Sequence, residues 1–486
     1  MPGGGRLTQS VGEKKHAPLS KGKIMRKNVL IVALSLVLAL VSCAEHECTW
    51  NEGTVTVEPT CTETGEMKYT CTGCGATRTE SIAALGHKWN DGETSTEATC
   101  EKEGAKTFTC TVCKETKIET IEKVAHNLGE DYKCSMCGNY FYPSLAEFNS
   151  KVTLENSKGV TVMVELGDEK FGDIAYSENS SGYTGKGLWI GRAIDDSPLN
   201  KYGKTPEKKG LYKYVFEGGT ITSSSTGYES IDGLKDTSVY MLVPSNSDIV
   251  FDGVTFEGVF SFDVQMYTSP WSFLNSITFK NCTFNGIVVG TAPAYSATFE
   301  GCTFNSYTNS TSANNSNPIW WRAGAGDWSS AGIEMSVTLQ SLNFINNKVY
   351  GSRPVKFERV GLWSTGSEIP YTPEIKILDN YFDISCENSA DYKEVEGASV
   401  KKDEEKHMAI NIGQHSNKSF FTLYDDGNTI SEGTKSLYTA ALSSGSNQYI
   451  EVSGTKILDR NGNPKEIEAL VWKTSTGETF TMKSID

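Results

Sequence analysis

The sequence predicts a mainly β protein: a parallel β-helix preceded by small zinc-ribbon-like Cys/His repeats. Two internal repeats predict it. Ile277-Thr-Phe-Lys-Asn-Cys-Thr-Phe-Asn-Gly286 returns twenty residues later as Ala297-Thr-Phe-Glu-Gly-Cys-Thr-Phe-Asn-Ser306. That offset is one strand, one turn and a return, the period of a solenoid coil. Earlier in the chain, Cys61, Cys71, Cys74 and His87 recur as Cys100, Cys110, Cys113 and His126, a period of 39 with every gap identical. Ten of the 13 cysteines lie before residue 138, so the two parts obey different rules.

A chain of 486 residues exceeds one ordinary core and predicts two or three units. Lys and Arg total 45 against 60 Asp and Glu, a balance of -15 that argues against a nucleic-acid partner. The expected divisions are residues 1-43, 44-140, 141-440 and 441-486.

The first division reads as an export signal. From Met25, which reads as an alternative start to Met1, a basic opening leads into a nearly uninterrupted apolar run ending at Leu40-Val-Ser-Cys43. The run is short and wrongly flanked for a permanent membrane span. Its end resembles the lipobox of bacterial lipoproteins. That resemblance implies a diacylglyceryl group on Cys43, loss of residues 1 to 42, and an exported chain anchored to the cell envelope by lipid. An ordinary cleaved signal with a chance Cys is the alternative.

Residues 44-140 hold the Cys-rich repeats. Three thiols and one imidazole per unit make a complete tetrahedral set for zinc, with C-x2-C as the knuckle. The candidate ligands are Cys61, Cys71, Cys74 and His87, then Cys100, Cys110, Cys113 and His126. A shortened copy closes the array with Cys134 and Cys137, and a degraded copy opens it at His46 and Trp50. Each His can join the cysteines before or after it; the preceding assignment is expected, because it gives two sets of identical spacing. Disulfides are the alternative in an exported protein. Alternating Thr, Val and Tyr in Gly53-Thr-Val-Thr-Val-Glu58 and Glu66-Met-Lys-Tyr-Thr70 predict short strands in units too small to fold without a staple. The repeats resemble tandem Cys-rich surface repeats of exported bacterial proteins, which implies a spacer.

From residue 141 the solenoid is expected. Phe141 to Asn149 reads as a helix capping its open end. Strands follow at Val160 to Leu166, Tyr214 to Phe216, Ile249 to Gly258, Val337 to Phe344, Ile375 to Phe382 and His407 to Gly413. Val254, Cys282, Cys302 and Leu342 are expected to form one buried row, with Cys282 and Cys302 as buried thiols. One coil is expected to be hidden between Phe304 and Val337, because Phe344 lies forty residues after Phe304. Residues 441-486 read as a closing β region.

These coils, typified by Asp248-Ile-Val-Phe-Asp-Gly-Val-Thr-Phe256, resemble the right-handed parallel β-helices of the pectate-lyase-like superfamily. That group holds polysaccharide lyases, hydrolases and surface proteins without known activity, so fold alone does not assign chemistry. Lyase chemistry needs an Arg or Lys base, and hydrolysis needs paired carboxylates. The nearest basic candidates are Arg353, Lys356 and Arg359, without the acidic partners such sites need. Trp320, Trp321, Arg322 and Trp328 form the most unusual loop and are candidates for binding a sugar ring or a protein; packing within the coil is their other reading. The expected function is a surface lipoprotein binding a glycan or protein partner. A lyase or hydrolase on the same scaffold, and a structural stalk, are the alternatives.

Overall fold

The structure is a computed structural model that describes residues 47–170, 188–191, 211–223, 238–244, 247–264, 274–290, 294–305, 319–322, 340–351, 355–358, 372–385, 408–412, 421–440, 456–471 and 479–483. These fall into two compact units divided between Val124 and Ala125.

The first unit contains two copies of one small antiparallel sheet. Thr54–Val57, Gly65–Thr70 and Thr77–Ile82 form one, and Glu93–Thr96, Gly104–Thr109 and Thr116–Ile121 the other. The same side chains shape both copies. Asn51 Oδ1 accepts from the amides of Gly53 and Thr70, as Asn90 Oδ1 accepts from those of Gly92 and Thr109. The strands are nearly bare: all four residues of Thr54–Val57 and of Glu93–Thr96 are exposed. Among the described residues of this unit, the only buried hydrophobic side chains are Cys61, Cys71, Cys100 and Cys110.

The second unit is built from two large, mainly parallel sheets. The first sheet stacks Thr161–Glu165, Tyr212–Glu217, Ser247–Asp252, Leu274–Lys280, Ala294–Glu300, Ser341–Ile345, Glu374–Leu378, Thr422–Asp426 and Lys456–Leu458 in chain order. After most of these strands the chain turns a corner into the second sheet, where Thr255–Val264, Thr283–Gly290, Thr303–Asn305, Lys348–Tyr350 and Tyr381–Asp383 pair in the same order. The corner is a left-handed residue in successive strand-to-strand turns: Gly253, Asn281, Gly301, Asn346, Asp379 and Gly427 all have φ between 51° and 67°. Gly, Asn and Asp are the residues that adopt this conformation at least cost.

Alternation along each strand sends every second side chain inward. Phe251, Phe279, Phe299 and Phe344 form one aromatic column, with ring centroids of the first three 5.4 and 5.0 Å apart. Phe256, Phe284 and Phe304 form another on the second sheet, at 4.8 and 4.7 Å. All are buried. At about 25 cal/mol per Å² of apolar surface, burying such columns stabilises this unit.

Two expectations about register are corrected. Among the described residues no strand comes between Ala294–Glu300 and Ser341–Ile345 in the first sheet: the two pair directly, so Phe299 meets Phe344 45 residues later. The sequence between them also supplies Ile319–Arg322 to the second sheet. The row of Val254, Cys282 and Cys302 continues through Asn347 and Asn380, because these positions follow the left-handed corner; Leu342 belongs to the row of Ala297. Cys282 and Cys302 are buried thiols, as expected, and each sulfur donates to a carbonyl, that of Phe251 at 3.3 Å and that of Phe279 at 3.4 Å. Burial raises the Cys302 thiol far above its ordinary range.

The capping segment is helical. Helix α1, Leu145–Lys151, is opened by Ser144, whose side chain accepts from the Glu147 amide. It buries Leu145 and Phe148, and Phe148 packs edge-on to Tyr214 and Phe216. At the far end the parallel stacking runs beyond residue 440, through Lys456–Leu458 and Glu466–Val471, before Thr479–Lys483 turns back antiparallel.

Candidate metal centres

The repeats place their donors at strand ends. In each copy the C-x2-C knuckle is the turn between the second and third strands. The Cys71 amide donates to the Ala76 carbonyl and the Gly75 amide to the Cys71 carbonyl; Cys110, Glu115 and Lys114 repeat the pattern. Gly75 has φ 74° and Gly138, in the third knuckle, 78°. Lys114 holds the same place at φ 68° with a Cβ attached.

Cys61, His87, Cys110 and Cys113 converge, with all four ligand atoms within 4.8 Å of one another. Cys61 Sγ lies 3.8 Å from Cys110 Sγ, and Cys113 Sγ lies 3.4 Å from His87 Nδ1. A tetrahedral ion with metal–sulfur bonds of about 2.3 Å and a metal–nitrogen bond of about 2.0–2.1 Å has S···S edges of about 3.8 Å and S···N edges of about 3.5 Å. The spacing therefore fits a shared ion, and it is far longer than the roughly 2.05 Å of a disulfide. No disulfide joins the described cysteines.

The surroundings suit the same purpose. Burial pushes the Cys110 thiol up, but amides of Cys113 and Val112, with the His87 and Cys113 side chains, bring it down to about 5. Cys71 is likewise brought to about 6, against burial, by the amides of Cys74 and Gly73 with the Cys48 and Cys74 thiols. Thiolate is the ligating form. His87 Nε2 lies 3.5 Å from Glu115 Oε2, and the ring stacks on Trp89 at 4.8 Å. A carboxylate on the far nitrogen fixes the tautomer that leaves Nδ1 free to ligate.

This grouping corrects the expected partition. Cys61 and Cys71 stand at opposite ends of Gly65–Thr70, and six residues at about 3.3 Å each hold them about 20 Å apart. They cannot share an ion. Each set instead takes its first Cys and its His from one repeat and its knuckle from the next. Cys71 and Cys74 gather with Cys48, whose sulfur is 3.7 Å from that of Cys74. The sequence reading passed over Cys48, although it lies 39 residues before His87, as Trp50 does before Trp89. In the second unit Cys137 Sγ is 3.8 Å from His126 Nδ1, and Cys134 is buried beside them.

The other candidate residues sit as follows. Cys43, His46, Trp328, Arg353 and Arg359 lie outside the described residues. The backbones of Trp320, Trp321 and Arg322 pair with those of Lys356, Phe357 and Glu358. Val355 and Phe357 are buried, as strand alternation predicts. A cleft of about 460 Å³ near the capped end is lined by Leu128, Phe141, Tyr142, Met163, Glu165 and Glu217. Burial, with Asp252 and Glu165 nearby, raises the Glu217 carboxyl. Among the described residues no helix is long and apolar enough to cross a membrane.

No protein-family model, curated protein or solved structure matches this chain.

Proposed function

We propose that the chain is a bacterial surface lipoprotein, held by a lipid on Cys43, with zinc-linked repeats as a spacer and a right-handed parallel β-helix that binds a glycan or a protein partner. The zinc reading rests on the Cys61, His87, Cys110 and Cys113 set, whose edges match a tetrahedral ion in a unit with almost no other core. Zinc is preferred because three thiolates and one imidazole suit its tetrahedral, redox-silent chemistry. Cys100 precedes His126 by 26 residues, as Cys61 precedes His87, so the same donor spacing recurs in the sequence.

The binding reading is carried by the outer face of the first sheet. Ser276, Ser296 and Ser341 stand in one row, and Thr278, Thr298 and Asn343 in the next. Ser296 and Ser341 share a 2.7 Å hydrogen bond, and Asn343 Nδ2 donates to Thr298 Oγ1 at 3.1 Å. Rows of hydroxyls and amides about 4.8 Å apart suit an extended polar ligand such as a glycan chain. One observation favours a second reading, glycan hydrolysis: Glu165 and Glu217 are neighbours in register beside the cleft, and Glu217 has the raised carboxyl of a general acid.

A screen of neutral glycans and polyuronates against the full chain, reading binding and released reducing or unsaturated ends, separates them. Binding without turnover, weakened by Ser296→Lys, is the expected result. Turnover lost in Glu217→Gln selects the hydrolase. Neither binding nor turnover would sink both, leaving the stalk.

A further inference from the structure

We infer that Cys48, Cys71 and Cys74 form a metal site of a second kind: three thiolates and one position left to a small exogenous donor, so that its ion exchanges while the ions of the complete sets stay. The inference rests on the zinc reading above and extends it to a site with a different ligand count.

The three sulfurs lie within 4.8 Å of one another, and the 3.7 Å between Cys48 and Cys74 is again the edge of a tetrahedron about a thiolate-bound ion. The scaffold around them is that of the complete set. Trp50 bridges to Cys71 as Trp89 bridges to Cys110, and a cation covers each indole, Arg78 at 4.8 Å and Lys117 at 5.4 Å. The knuckles superimpose in register, since 110 less 39 is 71 and 113 less 39 is 74. Cys48 fills the position of His87.

What differs is the fourth donor: among the described residues none joins these three sulfurs. The counterpart of Cys61 is residue 22, which is Gly22 and carries no donor side chain. It also precedes Cys43, where the expected processing cuts the chain. Cys74 is exposed and Cys48 only half-buried, so the site faces solvent. A site with three protein ligands keeps a position for water or another small ligand, and an ion already bearing three thiolates is soft enough to prefer a small thiol there.

The test uses the full chain loaded with zinc and, in parallel, with cobalt(II). Three zinc ions are expected per chain. On adding excess EDTA, one leaves about tenfold faster or more, the scale on which weakened metal support acts. Cys48→Ser removes that fast phase and leaves the two slow ions. 2-Mercaptoethanol shifts the cobalt absorption of the native chain but not of Cys48→Ser. A single release phase for all three ions overturns the inference, as does a native chain holding only two. A cobalt spectrum altered by His46→Ala overturns it as well, because the chain itself would then supply the fourth donor. A chain that binds no ion at all refutes the underlying zinc reading.

Discussion

The assignment of ligands across repeats is tested by removing them in pairs. Cys61→Ser, Cys71→Ser and Cys110→Ser each delete one thiolate, and the structure says which deletions fall on the same ion. Cys61 and Cys110 are 3.8 Å apart at the sulfurs, so they can share one. Cys61 and Cys71 are separated by the strand Gly65–Thr70, about 20 Å of extended chain, so they do not. A structural zinc contributes about 10–16 kcal/mol in comparable small domains. In a unit whose buried hydrophobic side chains are cysteines, that contribution has little apolar burial to replace it. Each single change should therefore cost one ion in native mass spectrometry. The Cys61→Ser/Cys110→Ser pair should still lack only one, and its stability loss should fall short of the sum of the singles by about the whole cost of one single change, because the same ion is lost in each. The Cys61→Ser/Cys71→Ser pair should lack two, with losses that add to within about 0.3–0.5 kcal/mol. If that second pair loses only the one ion missing from each single variant, the cross-repeat assignment is wrong and the ligands close within a repeat.

Three further outcomes are expected. Lys114→Gly, which removes the Cβ from a residue at φ 68°, should stabilise the second repeat by about 1 kcal/mol in thermal unfolding, reduced by loss of the 3.1 Å bond from Lys114 Nζ to the Thr111 carbonyl. Asn380→Ala leaves the Asn347 amide and the Phe344 carbonyl without their bonds of 2.8 Å each, at about 1–3 kcal/mol apiece. Hydrogen exchange at Asn347 should then quicken about tenfold per 1.4 kcal/mol, and unchanged exchange would refute the ladder. Arg460 donates to Asp426 at 2.9 Å, and that bond holds the Asp426 carboxyl below its ordinary 3.8. A depressed carboxyl stabilises the fold above its unfolded value and loses that effect as pH falls through the folded one. The stability gap between the native chain and Arg460→Ala should thus narrow as pH falls below the ordinary 3.8, followed by urea unfolding.

The ligand residue types were legible in the sequence, and their grouping was not. A 39-residue period shows that Cys61 and Cys71 belong to one repeat, but the strand between them, itself readable from Glu66 to Thr70, keeps them apart. Cys48 was hidden by a change of residue type at the His position, while the alignment of Trp50 with Trp89 pointed to it. In the second unit, the twenty-residue spacing of Phe279 and Phe299 read correctly as adjacent stacking. The next step failed because a coil's length is free wherever a loop can enter, so counting residues placed Leu342 in the wrong row. The corner was the better ruler. A left-handed Gly, Asn or Asp followed by Val, Cys or Asn marks Gly253, Asn281, Gly301, Asn346, Asp379 and Gly427 alike, whatever the loops between them. The cleft beside Glu217 had no signal in the sequence, since it joins residues from Leu128 to Gly219.

The cross-repeat set also bears on how such an array lengthens. Each repeat carries half of a site at either end, a Cys and a His to offer onward and a knuckle to receive. Duplication of one 39-residue segment in the gene would therefore insert a module already compatible with both neighbours, adding one ion and leaving no donor stranded. A repeat that closed its ion internally would gain no such joint, and its copies would follow one another as loose beads. Length in this architecture can change by whole steps without any other residue having to change with it.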